Sequence, residues 1–102
     1  MSQHNFGPLT AQYPGVIAKM PQVFTAHEFI LLLAQENQRL YVEALYDYKD
    51  NPAVGAETPF LIVHGQLAKK LRDFPHLVSY MGDVRSSDIF ATPSTSSQWR
   101  RI

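Results

Sequence analysis

The chain of 102 residues contains no cysteine. Disulfides, thiolate nucleophiles and cysteine-bound zinc are therefore excluded as sources of stability or chemistry. Its five glycines stand singly, so no glycine-rich loop is available to cradle a phosphate. No apolar run approaches the roughly 20 residues that cross a bilayer. The opening MSQHNFGPL has no basic region followed by an apolar one, so it does not read as a secretory signal. The expectation is a cytoplasmic protein with no membrane role. Net charge is missing too, because nine basic and nine acidic side chains cancel. A protein that coats nucleic acid unselectively would carry a clear basic excess.

The charges that are present are unevenly placed. Residues 1–60 hold three bases and six acids, a net −3, while residues 61–102 hold six bases and three acids, a net +3. A polyanion would meet the second part. Opposite halves would equally help the chain to pack or dimerise. Apolar residues make up 45 %, enough for one core in one domain of this length.

Residues 1–23 read as an irregular arm, because Pro8, Pro14 and Pro21 recur with Gly7 and Gly15. The arm is either a loose tail or a strap, since Phe6, Leu9, Tyr13, Val16, Ile17, Met20 and Val23 could dock on a surface. Residues 24–102 then read as a single helical domain. Thr25-Ala26-His27-Glu28 has the pattern of a capping box, and Phe24 and Phe29 have the spacing of a hydrophobic staple. A long helix from Ala26 to about Tyr48 should follow, with no proline or glycine inside it. At 100° per residue its core face gathers Phe29, Ile30, Leu33, Ala34, Leu40, Tyr41, Ala44, Leu45 and Tyr48, with Asn37 in the middle. Its back carries Leu31, Leu32, Val42 and Tyr46. That much apolar area on a solvent face suggests cover by the arm, a second subunit or another protein.

DNPAVGAE over residues 50–57 reads as a loop, and Thr58-Pro59 as the capped start of a second helix running to Leu71. His76 to Met81 can make a short third helix closed by Gly82. The runs Asp88–Thr92 and Gln98–Ile102 suggest a C-terminal β-hairpin around Pro93–Ser97. The expected class is thus mainly α, with a long first helix, two shorter helices and a terminal hairpin.

Chemistry is sparse. His4, His27, His64 and His76 include no pair at i, i+4, so no metal site is expected. His64 falls on an apolar helix face, where an imidazole with one satisfied nitrogen is the ordinary role. Ser94, Ser96 and Ser97 have no positioned base, and nothing has the shape of a nucleophile elbow. The reading is a non-enzymatic protein with no cofactor.

Leu67-Ala68-Lys69-Lys70-Leu71 followed by Val78-Ser79 resembles the core of a helix-turn-helix, and the terminal hairpin then resembles the wing of a winged helix. The resemblance implies binding to double-stranded DNA. His76, Ser79 and Tyr80 would face the major groove, Lys69, Lys70, Arg72 and Arg85 would hold the backbone, and Arg100 and Arg101 would lie beside the adjacent groove. The competing reading is a protein-interaction or adaptor module. It would associate through Leu31, Leu32, Val42 and Tyr46 and the arm, as a homodimer or with another protein.

The capping box generates the first prediction. Thr25→Ala should lower stability by about 1 kcal/mol in chemical denaturation, and Thr25→Ser should restore most of it.

Overall fold

The computed structural model describes residues 4–50 and 58–102. The loop expected over residues 50–57 falls, apart from Asp50, outside the described residues. In chain order the elements are α1 (Gly7–Thr10), α2 (Tyr13–Ile17), β1 (Val23–Thr25), α3 (Ala26–Glu36), α4 (Gln38–Asp47), α5 (Pro59–Lys69) with a 3-10 turn over Lys70–Asp73, β2 (Val78–Ser87) and β3 (Pro93–Arg101). The strands form one antiparallel sheet in the order β1-β3-β2. The architecture is α+β, not the mainly α class expected from the sequence.

Local signals act where they were read. The Thr25 hydroxyl accepts from the amide of Glu28 at 3.2 Å, and the Glu28 carboxylate accepts from the amide of Thr25 at 2.9 Å. Phe24 and Phe29 pack with ring centroids 6.2 Å apart. Thr58 caps α5 by accepting from the amide of Leu61 at 3.3 Å, with Pro59 in the first turn. Val63 and Leu67 on α5, with Leu71 on the following turn, are fully buried, as the helical period requires.

Two expectations fail for physical reasons, and the arm, left open between a loose tail and a strap, is docked. First, the long helix is two helices. Asn37 takes φ −136° and ψ 50°, and its side-chain amide donates to the carbonyl of Leu33 at 3.1 Å. The short amide competes for a backbone acceptor and ends α3 there. The apolar face is interrupted as a result, and within α4 only Ala44 is buried.

Second, residues 76–81 are not a helix. The chain turns after Phe74-Pro75, and from Val78 onward it is strand β2, paired with β3 from Val78↔Arg101 to Ser87↔Pro93. The hairpin turn lies at Asp88–Thr92, and Pro93–Ser97, expected as the turn, belong to a strand. Asp88 sets this register. Its carboxylate accepts from the amides of Phe90 at 2.9 Å and Thr92 at 3.0 Å, and Ala91 closes the turn in the left-handed region at φ 63°. Pro93 lacks an N–H and suits the first position of a strand. Gly82, at φ 109°, follows a bulge between Tyr80 and Gly82, a backbone form that a side chain resists.

The proline-punctuated arm is folded. Phe6, Leu9, Tyr13, Val16, Ile17 and Met20 all lie in the core. Each proline at the start of α1 and α2 occupies a first-turn position, where its missing N–H costs nothing. Tyr13 is completely buried. Its hydroxyl donates to the carbonyl of Leu67 at 2.6 Å, its ring meets Phe29 edge-on at 4.7 Å, and it stacks on Phe74 at 5.3 Å.

The chain end is secured as well. The Arg101 amide donates to the carbonyl of Gln22 at 2.8 Å, and the Ile102 amide to that of Leu77 at 3.0 Å. Trp99 is buried beside Phe24 of β1, with its indole N–H donating to the hydroxyl of Ser97 at 2.9 Å.

A chain lacking residues 1–18 is expected to lose cooperative thermal unfolding by circular dichroism. Tyr13→Ala should cost about 3–5 kcal/mol, as for other buried aromatics cut to alanine.

Candidate functional site

The residues expected to hold DNA do not converge. Arg72, Ser79 and Tyr80 come together, lining a groove of about 580 Å³ with Leu71, Pro75, Val78, Trp99 and Ile102. Tyr80 leaves its hydroxyl with Asp83, to which it donates at 2.8 Å; that bond raises the phenol pKa. The other basic groups are dispersed. Lys69 lies beside Leu61, Ile62, Gly65 and Gln66 on α5. Lys70 turns away, with its ammonium 5.3 Å from the centre of the Phe6 ring. Arg101 reaches the carbonyl of Ala18 at 3.4 Å. Arg85 and Arg100 are exposed on different strands, and His76 is exposed in the turn before β2 rather than on a helix.

The residues expected to hold a protein partner divide at the Asn37 break. Val42 and Tyr46 are 59 % and 64 % exposed on α4, and Leu31 is exposed on α3, whereas Leu32 packs against the core. Of the arm's apolar side chains, Phe6, Leu9, Tyr13, Val16, Ile17 and Met20 fill the protein's own core, and Val23 is exposed.

A more continuous apolar surface lies on α5 and the hairpin turn. Phe60 and Leu61 are 42 % and 56 % exposed in the first turn of α5, and Phe90 is 54 % exposed at the tip of the hairpin. The Phe60 and Phe90 rings meet edge-on at 4.7 Å. His64 stacks on Phe90 at 6.3 Å and on Tyr41 at 5.8 Å, so four rings from α4, α5 and the turn form one row. Beside them a cleft of about 220 Å³ runs between α5 and β3, lined by Leu61, His64, Gly65 and Ala68, by Ala26, His27 and Ile30 of α3, and by Ser94–Ser97. Gly65 meets no atom within 4 Å of where a Cβ would stand, so its small size leaves the cleft open rather than relieving a clash.

The titratable groups at this site are two imidazoles, a phenol and one carboxylate. The Tyr41 hydroxyl and His64 Nε2 are 2.6 Å apart, which gives His64 the single satisfied nitrogen expected of it. Burial pushes the Tyr41 phenol up to about 12. Burial also holds the His64 pKa below its ordinary value; the Asp88 charge opposes that shift and His27 adds to it. The amide of Thr92 and then that of Phe90 hold the Asp88 carboxyl below its usual range, helped by His27 and His64. His27 keeps its Nδ1 buried without a hydrogen-bond partner among the described residues. The Asp88 carboxylate is occupied by its own turn, where it accepts from the amides of Phe90 and Thr92. Among the described residues no group of three or more His, Cys, Asp or Glu side chains could hold a metal ion, and no helix is long and apolar enough to cross a membrane.

No family model matches the chain, and no curated protein or solved structure resembles it significantly.

Leu61, Phe60 and Phe90 were all legible as apolar residues in the sequence. Their joint exposure was not, because Phe60 reads as core by helical period and Phe90 reads as strand until the turn is placed by Asp88.

The His64 environment fixes a pH dependence. Its pKa is lower folded than unfolded, so the unfolded chain binds more protons as acid is added. The contribution of neutral His64 is complete above its ordinary value of 6.5 and is lost as pH falls below it. The thermal midpoint should drop through this window more steeply in the wild type than in His64→Gln. Equal slopes would show that His64 is not responsible.

Proposed function

We propose that the chain is a non-enzymatic interaction domain that binds an apolar segment of a partner protein on α5 and the hairpin turn. The observation that carries this reading is the contact between half-exposed Phe60 and Phe90, next to a mostly apolar cleft that half-exposed Leu61 and His64 line. Monomeric proteins seldom leave contiguous aromatic and aliphatic side chains in water without a use for them. Large apolar anchors of this kind supply most of the affinity at protein interfaces. No lysine or arginine lines the cleft, which favours an uncharged apolar ligand over a polyanion.

Winged-helix-type binding of duplex DNA is the second reading. One observation favours it: α5 leads through Lys69, Lys70 and Arg72 into an antiparallel hairpin that carries Arg85. In this reading α5, instead of residues 76–81, enters the groove, and the hairpin is the wing.

Selection of random peptides on the immobilised chain, with a low-salt gel shift run in parallel, separates the two. The interaction reading expects enrichment of apolar peptides, with affinity falling about tenfold or more in Leu61→Asp and unchanged in Val42→Asp. Failure to enrich such peptides, or indifference to Leu61→Asp, overturns it. The DNA reading instead expects a complex whose logarithmic salt slope flattens by about 0.9 for each phosphate contact removed in Lys69→Glu with Lys70→Glu.

A further inference from the structure

A different surface has a self-complementary pattern. Strand β2 is an edge of the sheet: β3 pairs with one side of it, and among the described residues no strand pairs with the other. An open edge of ten residues is a template for another strand, and proteins normally blunt such edges with bulges or charges. Here the bulge at Tyr80/Gly82 interrupts only the first part. From Gly82 to Ser87 the strand is regular against Gln98 to Pro93. The charges in this stretch are Asp83 and Arg85, both exposed. They lie two residues apart and so share one sheet face. Neither forms an ion pair among the described residues.

We propose that β2 pairs antiparallel with β2 of a second copy of this chain, with Val84 opposite Val84, to make one continuous six-stranded sheet. Charge selects both the occupant and the register. In an antiparallel ladder, residues directly opposite each other have equivalent hydrogen-bonding roles and share a face. Registers that oppose a residue of the Asp83 and Arg85 set to one of the alternate set are therefore excluded. Of the remaining registers, the one centred on Val84 places Asp83 opposite Arg85 of the second copy, and by symmetry Arg85 opposite its Asp83. Centring on Asp83 or Arg85 instead sets like charges face to face, which destabilises a cross-strand pair. The same pairing brings the two Val84 side chains together on the twofold axis and sets Gly82 against Ser86. The residues of that second set face inward, because the Ser86 hydroxyl is 3.5 Å from that of Thr25 at the start of α3. The charge pairs therefore form on the outer face of the joined sheet. An interface of this kind is isologous: each copy contributes the same patch. It uses the backbone edge of β2, so it stands or falls separately from peptide binding on α5.

Sedimentation equilibrium on the full chain tests the pairing, with circular dichroism as a check on folding. The wild type is expected to show a concentration-dependent shift from monomer to dimer mass at low salt. Asp83→Arg and Arg85→Asp should each weaken dimerisation about tenfold or more, because each replaces attraction by repulsion across the axis. An equimolar mixture of the two variants should recover the dimer, since every cross-strand pair is then again of opposite sign. Both positions are exposed, so the variants should fold. A wild type that stays monomeric at millimolar concentration, variants that dimerise like the wild type, or a mixture that fails to recover the dimer would each overturn the proposal.

Discussion

The fold depends on Tyr13. Its hydroxyl donates to a carbonyl 54 residues away, at Leu67, while its ring fills the space between Phe29 of α3 and Phe74 after the 3-10 turn. One side chain thus joins the N-terminal segment, the first long helix and the C-terminal end of α5. The phenol is buried far enough that its pKa rises, with the charge of Asp73 adding to the effect. A neutral hydroxyl with a partner is the form such an environment accepts.

With the arm inside, the distribution of apolar side chains over the surface follows. The core is filled by α1, α2, α3, α5 and the Trp99 side of the sheet, and α4 adds Ala44 with Leu40, Tyr41 and Leu45 packed against it, while its other face shows Val42 and Tyr46 to solvent. The hairpin folds over the start of α5, so Phe90 meets Phe60 in solvent instead of in the interior. The row of Tyr41, His64, Phe90 and Phe60 is therefore a boundary between core and water. Its inner members are hydrogen-bonded or desolvated and its outer members are open. Much of the ordering of this row is already fixed by the fold, which lowers the entropic cost of any contact it makes.

The candidate site was legible only in parts. His64 could be read as a half-satisfied imidazole because its helical neighbours Phe60 and Leu67 are apolar and its period is unambiguous. Its partner Tyr41 lies 23 residues earlier, and no local pattern links the two. The basic residues show the opposite case. Lys69, Lys70, Arg72, Arg85, Arg100 and Arg101 cluster along the chain, yet Lys70 covers Phe6 and Arg101 reaches back to Ala18. Long cationic side chains lie along whatever apolar or carbonyl surface is near, so proximity in sequence did not become proximity in space.

Local chemistry by itself determined the starts of α3 and α5, because a threonine hydroxyl and the amide three residues on need nothing else to find each other. It also determined that Val63, Leu67 and Leu71 share one buried face. The tertiary structure alone decided three matters: that Val78–Ser87 is strand, that the arm is core and that the helix breaks at Asn37. His76 to Met81 has no periodicity long enough to choose between helix and strand, and the ladder with β3 makes the choice. The prolines of the arm mark helix starts only once Tyr13 and its neighbours have a cavity to fill. The Asn37 amide takes the Leu33 carbonyl, and beyond that break α4 buries Ala44 against the core. In each case the local preference was nearly balanced, and contacts with distant segments settled it.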